Sequence, residues 1–196
     1  MTVAIGEFVP SGAPLFAING DPANVNHRDV TDAIVLTLER TLGEDVAYGL
    51  RLLVDIAERS LADSALQDPT TTVQPIDRLH DCLRQTAPRP FPDGTYADEL
   101  GQTRLILRVM DWDAYVRLAF DEIRLVGAGS PPVSRRLHAA LDDLKNVAPP
   151  HRQSALDDQL RRLNMLTDQT LLLPEDVSMA SQSDPQGIGV GAGRVR

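Results

Sequence analysis

Between residues 46 and 61 the apolar side chains Val46, Leu50, Leu53, Val54, Ala57 and Leu61 recur at intervals that mostly match a helix, over about four turns. Such spacing puts one apolar stripe along a helix, and a stripe of that length has to be buried against other elements. The same stretch sets Arg51, Asp55 and Arg59 four residues apart on another face, as a ladder of alternating charge. A packed helical architecture follows, provided the rest of the chain supplies partners.

It does so repeatedly. Over 28–42, Val30, Ile34, Leu38 and Leu42 recur every fourth residue, with Asn26 or Asp29 as a cap, and predict a helix. Asp68 followed by Pro69 reads as a cap and first helical position, opening a helix to about residue 85 with Val73, Ile76, Leu79 and Leu83 inward; Pro75 should kink or tighten its start. The spacing of Val116, Ala119, Phe120, Ile123 and Val126 predicts a helix over 112–126 that ends at Gly127-Ala128-Gly129. Ser130-Pro131-Pro132 opens another, carrying Val133, Leu137, Leu141 and Leu144 as far as Pro149-Pro150, and a sixth over 151–167 carries Leu156, Leu160, Leu163 and Leu166. The acidic pairs Asp142-Asp143 and Asp157-Asp158 are read as partners in intrahelical ion pairs.

The remaining segments read otherwise. Two short apolar runs around Pro10-Ser11-Gly12, from Val3 to Ile18, have a hairpin pattern, and 103–109 is a further β-prone run. Pro88, Pro90, Pro92 and Asp93-Gly94 form a loop, while the Ser-, Gln- and Gly-rich residues after Pro174 are too polar to offset chain entropy and are expected to be disordered. The expected fold is mainly α: a bundle of about six helices with a small N-terminal β-hairpin and one further short strand. Its expected divisions are a β-hairpin at 1–20, a helical domain at 26–173 and a tail at 174–196.

Aromatic residues are only 4% of the 196, so aliphatic side chains must fill the core. A formal net charge of −9 opposes phosphate-backbone binding, and no nucleic-acid partner is expected. Nearly all the basic residues are arginine, Lys145 being the single lysine; Cys82, the single cysteine, cannot form an internal disulfide and reads as a small buried hydrophobe. No apolar run is long enough to span a bilayer and the first residues lack a signal-peptide pattern, so the chain as given is expected to be cytoplasmic.

Catalytic patterns do not emerge. His27, His80, His138 and His151 are far apart in sequence and form no HxxxH or HExxH pair, so neither a metal nor a cofactor is expected. Ser11, Ser60 and Ser64 lie in no G-x-S-x-G turn, and Gly127-Ala128-Gly129 lacks the lysine of a phosphate-binding loop. One constellation stands out: Arg51, Asp55, Arg59, Asp68, Thr71 and Asp77, brought together if the second and third helices pack antiparallel. It reads either as an anion site at a helix N-terminus or as a polar network of mutually paired side chains.

Three segments together resemble the bacterial family of predicted membrane proteins known as domain of unknown function 2254. They are Gly6-Glu7-Phe8-Val9-Pro10-Ser11-Gly12-Ala13-Pro14-Leu15, the stretch from Glu44 to Leu61, and Gln67-Asp68-Pro69-Thr70-Thr71-Thr72-Val73-Gln74-Pro75-Ile76-Asp77-Arg78-Leu79. The resemblance runs from about residue 5 to 163 and implies the soluble region that follows several transmembrane helices, with the membrane part and the first strands absent here. It implies a truncated product, a misplaced start or a free-standing relative, membrane-associated if upstream helices exist, and it carries over no catalytic residue. The functional expectation is a non-enzymatic interaction or oligomerisation domain, a homo-oligomer beside a membrane-embedded part in relatives. The alternative is a small-anion or metabolite sensor, or an enzyme, at the Arg/Asp constellation.

Overall fold

The computed structural model describes residues 1–43, 45–62 and 69–187. Two compact units emerge, one from Met1–Tyr48 with Pro92–Asp111 and the other from Gly49–Phe91 with Trp112–Arg196. The first unit thus takes in residues 26–48 and 92–111 along with the N-terminal segment.

The first unit contains α1 (His27–Asp32), the strands β1 (Thr95–Ala97) and β2 (Thr103–Ile106), and extended loops. The strands pair antiparallel, Thr95 opposite Ile106 and Tyr96 opposite Leu105, with an irregularity after Tyr96. Asp98 closes their turn: its carboxylate accepts from the backbone N–H of Leu100 and Gln102, at 3.0 and 2.9 Å, and from Arg104 Nε at 2.8 Å. The hairpin is thus at 95–106 and not at the N-terminus as expected. Residues 1–20 still fold back, Thr2 N–H donating to the Leu15 carbonyl at 2.9 Å, but their strand-like pairing is limited to one parallel bridge, Ala4 to Arg108. Pro10 and Pro14 explain this, since a proline has no N–H to give to a ladder.

Gly94 enters β1 with φ +80, and a Cβ there would lie 2.2 Å from the Leu107 carbonyl oxygen. Its own carbonyl accepts from Leu107 N–H at 2.7 Å, which ties the base of the hairpin. Gly94→Ala is expected to speed amide exchange at Leu107 and along the ladder by about tenfold or more, because the strain and the clash act on the folded hairpin alone. Native-state hydrogen exchange of this variant against the parent checks it; unchanged rates would refute the close approach.

The helix expected over 28–42 stops after six residues at Asp32, capped by Asn26, whose Oδ1 accepts from Arg28 N–H at 3.1 Å. Of the four-residue period, Val30 and Ile34 are half-buried while Leu38 and Leu42 are exposed, as are Val35 and Leu36 between them, so helix propagation lacks the buried stripe that would support it.

The second unit is a helical bundle. Its helices are α2 (Val46–Ala62, from Gly49 onward), α3 (Pro69–Thr86), α4 (Trp112–Gly127), α5 (Pro131–Val147), α6 (Gln153–Thr170) and α7 (Pro174–Ala180). Leu50, Val54, Ala57 and Leu61 of α2, Val73, Ile76, Leu79 and Leu83 of α3, and Leu137, Leu141 and Leu144 of α5 are buried as their spacing requires. Pro75 lies inside α3, which continues through it. α5 is the central helix, packed against α3, α4, α6 and α7. Arg152, in a 3-10 turn before α6, stacks 4.6 Å from the Phe91 ring and donates to the carbonyls of Ala87 and Arg89 at 2.6 and 2.7 Å, while Trp112 Nε1 donates to its carbonyl at 2.9 Å. Phe91 and Tyr115 complete an aromatic cluster at this end of the bundle.

Two further expectations give way here. Cys82 is exposed on the outer face of α3, one residue from the buried Leu83. Residues 174–180 form α7 instead of a disordered tail, and the chain remains ordered against the bundle to Gly187; the rest of the expected tail lies outside the described residues. No helix among the described residues is long and apolar enough to cross a membrane.

Candidate functional site

The side chains of the expected constellation fall in two places. On α2, the Arg51 guanidinium is ringed by three carboxylates: Nε meets Asp55 Oδ1 at 2.6 Å, Nη2 meets Glu58 Oε2 at 3.2 Å, and Nη1 reaches Glu122 on α4. Burial draws this guanidinium down, but Glu122 and then Asp55 outweigh it and hold Arg51 above its ordinary value. Glu58 is pushed up, first by burial and then by the Glu122 charge. One cation facing three carboxylates leaves the cluster negative, so an incoming anion would meet repulsion before reaching Arg51.

Arg59, two turns along, is exposed and has no ion pair among the described residues. With Asp55, Glu58, Ala62 and Val126 it lines a groove of about 420 Å³. Thr71 is exposed on α3, and Asp68 lies outside the described residues.

Asp77 belongs to a separate chain of contacts between α3 and α5. Its Oδ1 accepts from Arg136 Nε at 2.6 Å; Arg136 Nη2 lies 3.0 Å from His80 Nδ1; His80 Nε2 lies 2.7 Å from Asp143 Oδ2; and Arg84 donates to that same Asp143 oxygen. A guanidinium only donates, so His80 accepts at Nδ1 and carries its proton on Nε2, directed at Asp143. Burial pushes the Asp143 carboxyl up, but His80 and Arg84 outweigh it and hold it below the usual carboxylate range. Both ring nitrogens of His80 are engaged, and acting as a base would require breaking this chain.

A third cluster joins α4 to α6. Arg124, 6% exposed, donates through Nε to Gln159 Oε1 and through Nη2 to Asp121 Oδ1, both at 3.2 Å, and Gln159 Nε2 donates to the same Asp121 oxygen at 2.7 Å. The acidic pairs expected to act within their helices are divided. Asp158 does pair with Arg161 and Arg162, but Asp157 bonds Lys145 of α5 and Asp143 bonds α3.

Sequence reasoning missed His80, Arg84, Arg136 and Asp143. A trace was present: Asp77, His80 and Arg84 are spaced i, i+3, i+7, and Arg136 and Asp143 are seven apart, so each set occupies one helical face. Among the described residues no group of three or more His, Cys, Asp or Glu side chains could hold a metal ion. The Cys82 thiol is pushed up by burial and then by the Asp81 charge, away from the thiolate a nucleophile needs.

The chain belongs to the family described as "predicted membrane protein", domain of unknown function 2254, whose match covers residues 1–143. Uncharacterized proteins of Mycobacterium tuberculosis (strain H37Rv) and Mycobacterium bovis are each 33% identical to it over 123 residues, 62% of this chain and 23% of the relative. The chain therefore matches less than a quarter of the length of these curated relatives. No solved structure matches it.

Proposed function

We propose that this chain is a non-enzymatic interaction domain, related to the soluble part of a predicted membrane protein, that self-associates through its first unit. The observation that carries this reading is the apolar segment after α1, where Val35 is 80% exposed, Leu36 68%, Leu42 61% and Leu38 fully. Within one unit these are four large apolar side chains along eight residues, a density that marks a contact surface on a folded protein. The two-stranded sheet of the same unit is too small to be stable without added strands or cover, which also favours a second copy. The rival reading, an anion or metabolite sensor or an enzyme at Arg51 and Asp55, has less support because Arg51 is already engaged by three carboxylates.

Sedimentation velocity over a range of concentration tests it. The parent chain is expected to associate reversibly at about tens of micromolar, and Leu38→Asp to weaken association by about tenfold or more while leaving helical circular dichroism unchanged. A parent chain that stays strictly monomeric, or a Leu38→Asp chain that associates as well as the parent, would sink the proposal.

A further inference from the structure

α5 is unusual in burying Arg135, Arg136 and His138 within a single turn, at 8%, 5% and 6% exposure. Buried cations need anionic or hydrogen-bonding partners. Arg136 finds Asp77 and His80 on α3, but the carboxylate nearest Arg135 comes from far along the chain: Asp184, itself 1% exposed, whose Oδ2 lies 3.9 Å from Arg135 Nε. At that distance the two attract without a hydrogen bond, and Arg135 Nε has no hydrogen-bond partner among the described residues.

We propose that the face of α5 around Arg135, flanked by α6 at one end and by α3 at the other, is a docking groove for a carboxylate-bearing peptide segment, and that residues 174–187 of this chain are its resident ligand. The segment is held at a few points. Ala180 of α7 is fully buried, Asp184 N–H donates to the Arg135 carbonyl at 3.2 Å, and Asp184 Oδ1 accepts from Gln186 N–H at 3.0 Å in the turn that follows. That turn brings Gly187, at φ +66, so close to α3 that a Cβ would lie 2.7 Å from Val73 Cγ1. The tether from α6 is not packed in the same way, since Leu172 and Leu173 are 93% and 59% exposed. Face and cover are also separate in sequence: Arg135, Arg136 and His138 lie within the family-matched residues 1–143, and the covering segment lies beyond them. The unused Nε donor of the buried Arg135 guanidinium is the group that a carboxylate entering this groove would address. This inference uses a different surface from the self-association proposed above and stands without it.

The test uses the full chain, its Asp184→Asn and Gly187→Val variants, and a fluorescent peptide of residues 171–187. Asp184→Asn removes the charge and Gly187→Val opposes the close turn, so the two loosen the segment by separate routes. Both are expected to speed amide exchange across 174–187 by about tenfold or more and to bind the peptide, by anisotropy, about tenfold tighter than the parent, whose groove is filled. A peptide carrying the same Asp184→Asn change should bind the loosened chains more weakly. Exchange that stays slow in both variants, loosened chains that ignore the peptide, or loss of the whole helical circular dichroism signal would each overturn the proposal, the last by making the segment part of the core.

Discussion

Phe120→Ala is expected to cost the bundle about 3–5 kcal/mol, the range for deleting a fully buried aromatic ring. Phe120 is 1% exposed on α4, within the cluster formed by Val116, Ile123, Leu137 and Leu163 among others. The surrounding core is almost wholly aliphatic, and side chains already fixed in their rotamers by close packing cannot collapse into a ring-sized void. Urea unfolding followed by helical circular dichroism measures the loss. Leu172→Ala is the control: at 93% exposure it should stay within about 0.5 kcal/mol of the parent. Equal midpoints for the two variants would contradict the burial of Phe120.

The second large effect is electrostatic. Asp121→Ala removes the carboxylate that both Arg124 and Gln159 address, leaving a guanidinium that is 6% exposed with a single amide oxygen for company. Breaking a buried pair from one side costs more than the pair contributes, since the remaining charge stays out of water; with Asp121 itself about a third exposed, a loss of about 2–3 kcal/mol is expected. The informative comparison is the triple variant Asp121→Leu, Arg124→Met, Gln159→Leu, which removes all three polar groups together and should recover most of the loss. If the triple variant is less stable than Asp121→Ala in the same urea titration, the cluster contributes net stability and the argument from desolvation fails.

These two sites differ in how far they could be read beforehand. Phe120 was placed on the inward face of its helix by spacing alone, as were Leu50, Val54 and Leu61 of α2 and Leu79 and Leu83 of α3. The polar clusters were not. Asp77 and Arg136 are 59 residues apart, His80 and Asp143 63, and Arg51 and Glu122 71, and no local pattern states which charged face will meet which. The expected grouping of Asp77 with Arg51 assumed that neighbouring helices share their polar faces, whereas α3 turns this face to α5.

What local residue order settled is therefore the helices whose apolar stripe found a partner, their proline and glycine boundaries, and the aliphatic character of the core. These depend on backbone geometry and on the 3.6-residue period, which act within a few turns. Where tertiary partners decide, the outcome departed from expectation. The period over 28–42 gave only six helical residues because none of its apolar positions is fully buried, and the apolar runs around Pro10 gave one bridge because their prolines cannot feed a ladder. In the opposite sense, the polar segment from Pro174 to Gly187 packs on the bundle, with Ala180 buried and Asp184 set 3.9 Å from an arginine buried 49 residues earlier in the chain. Order in such a segment comes from a long-range charge contact and from close packing of Gly187 on Val73, and neither leaves a signature in composition or period.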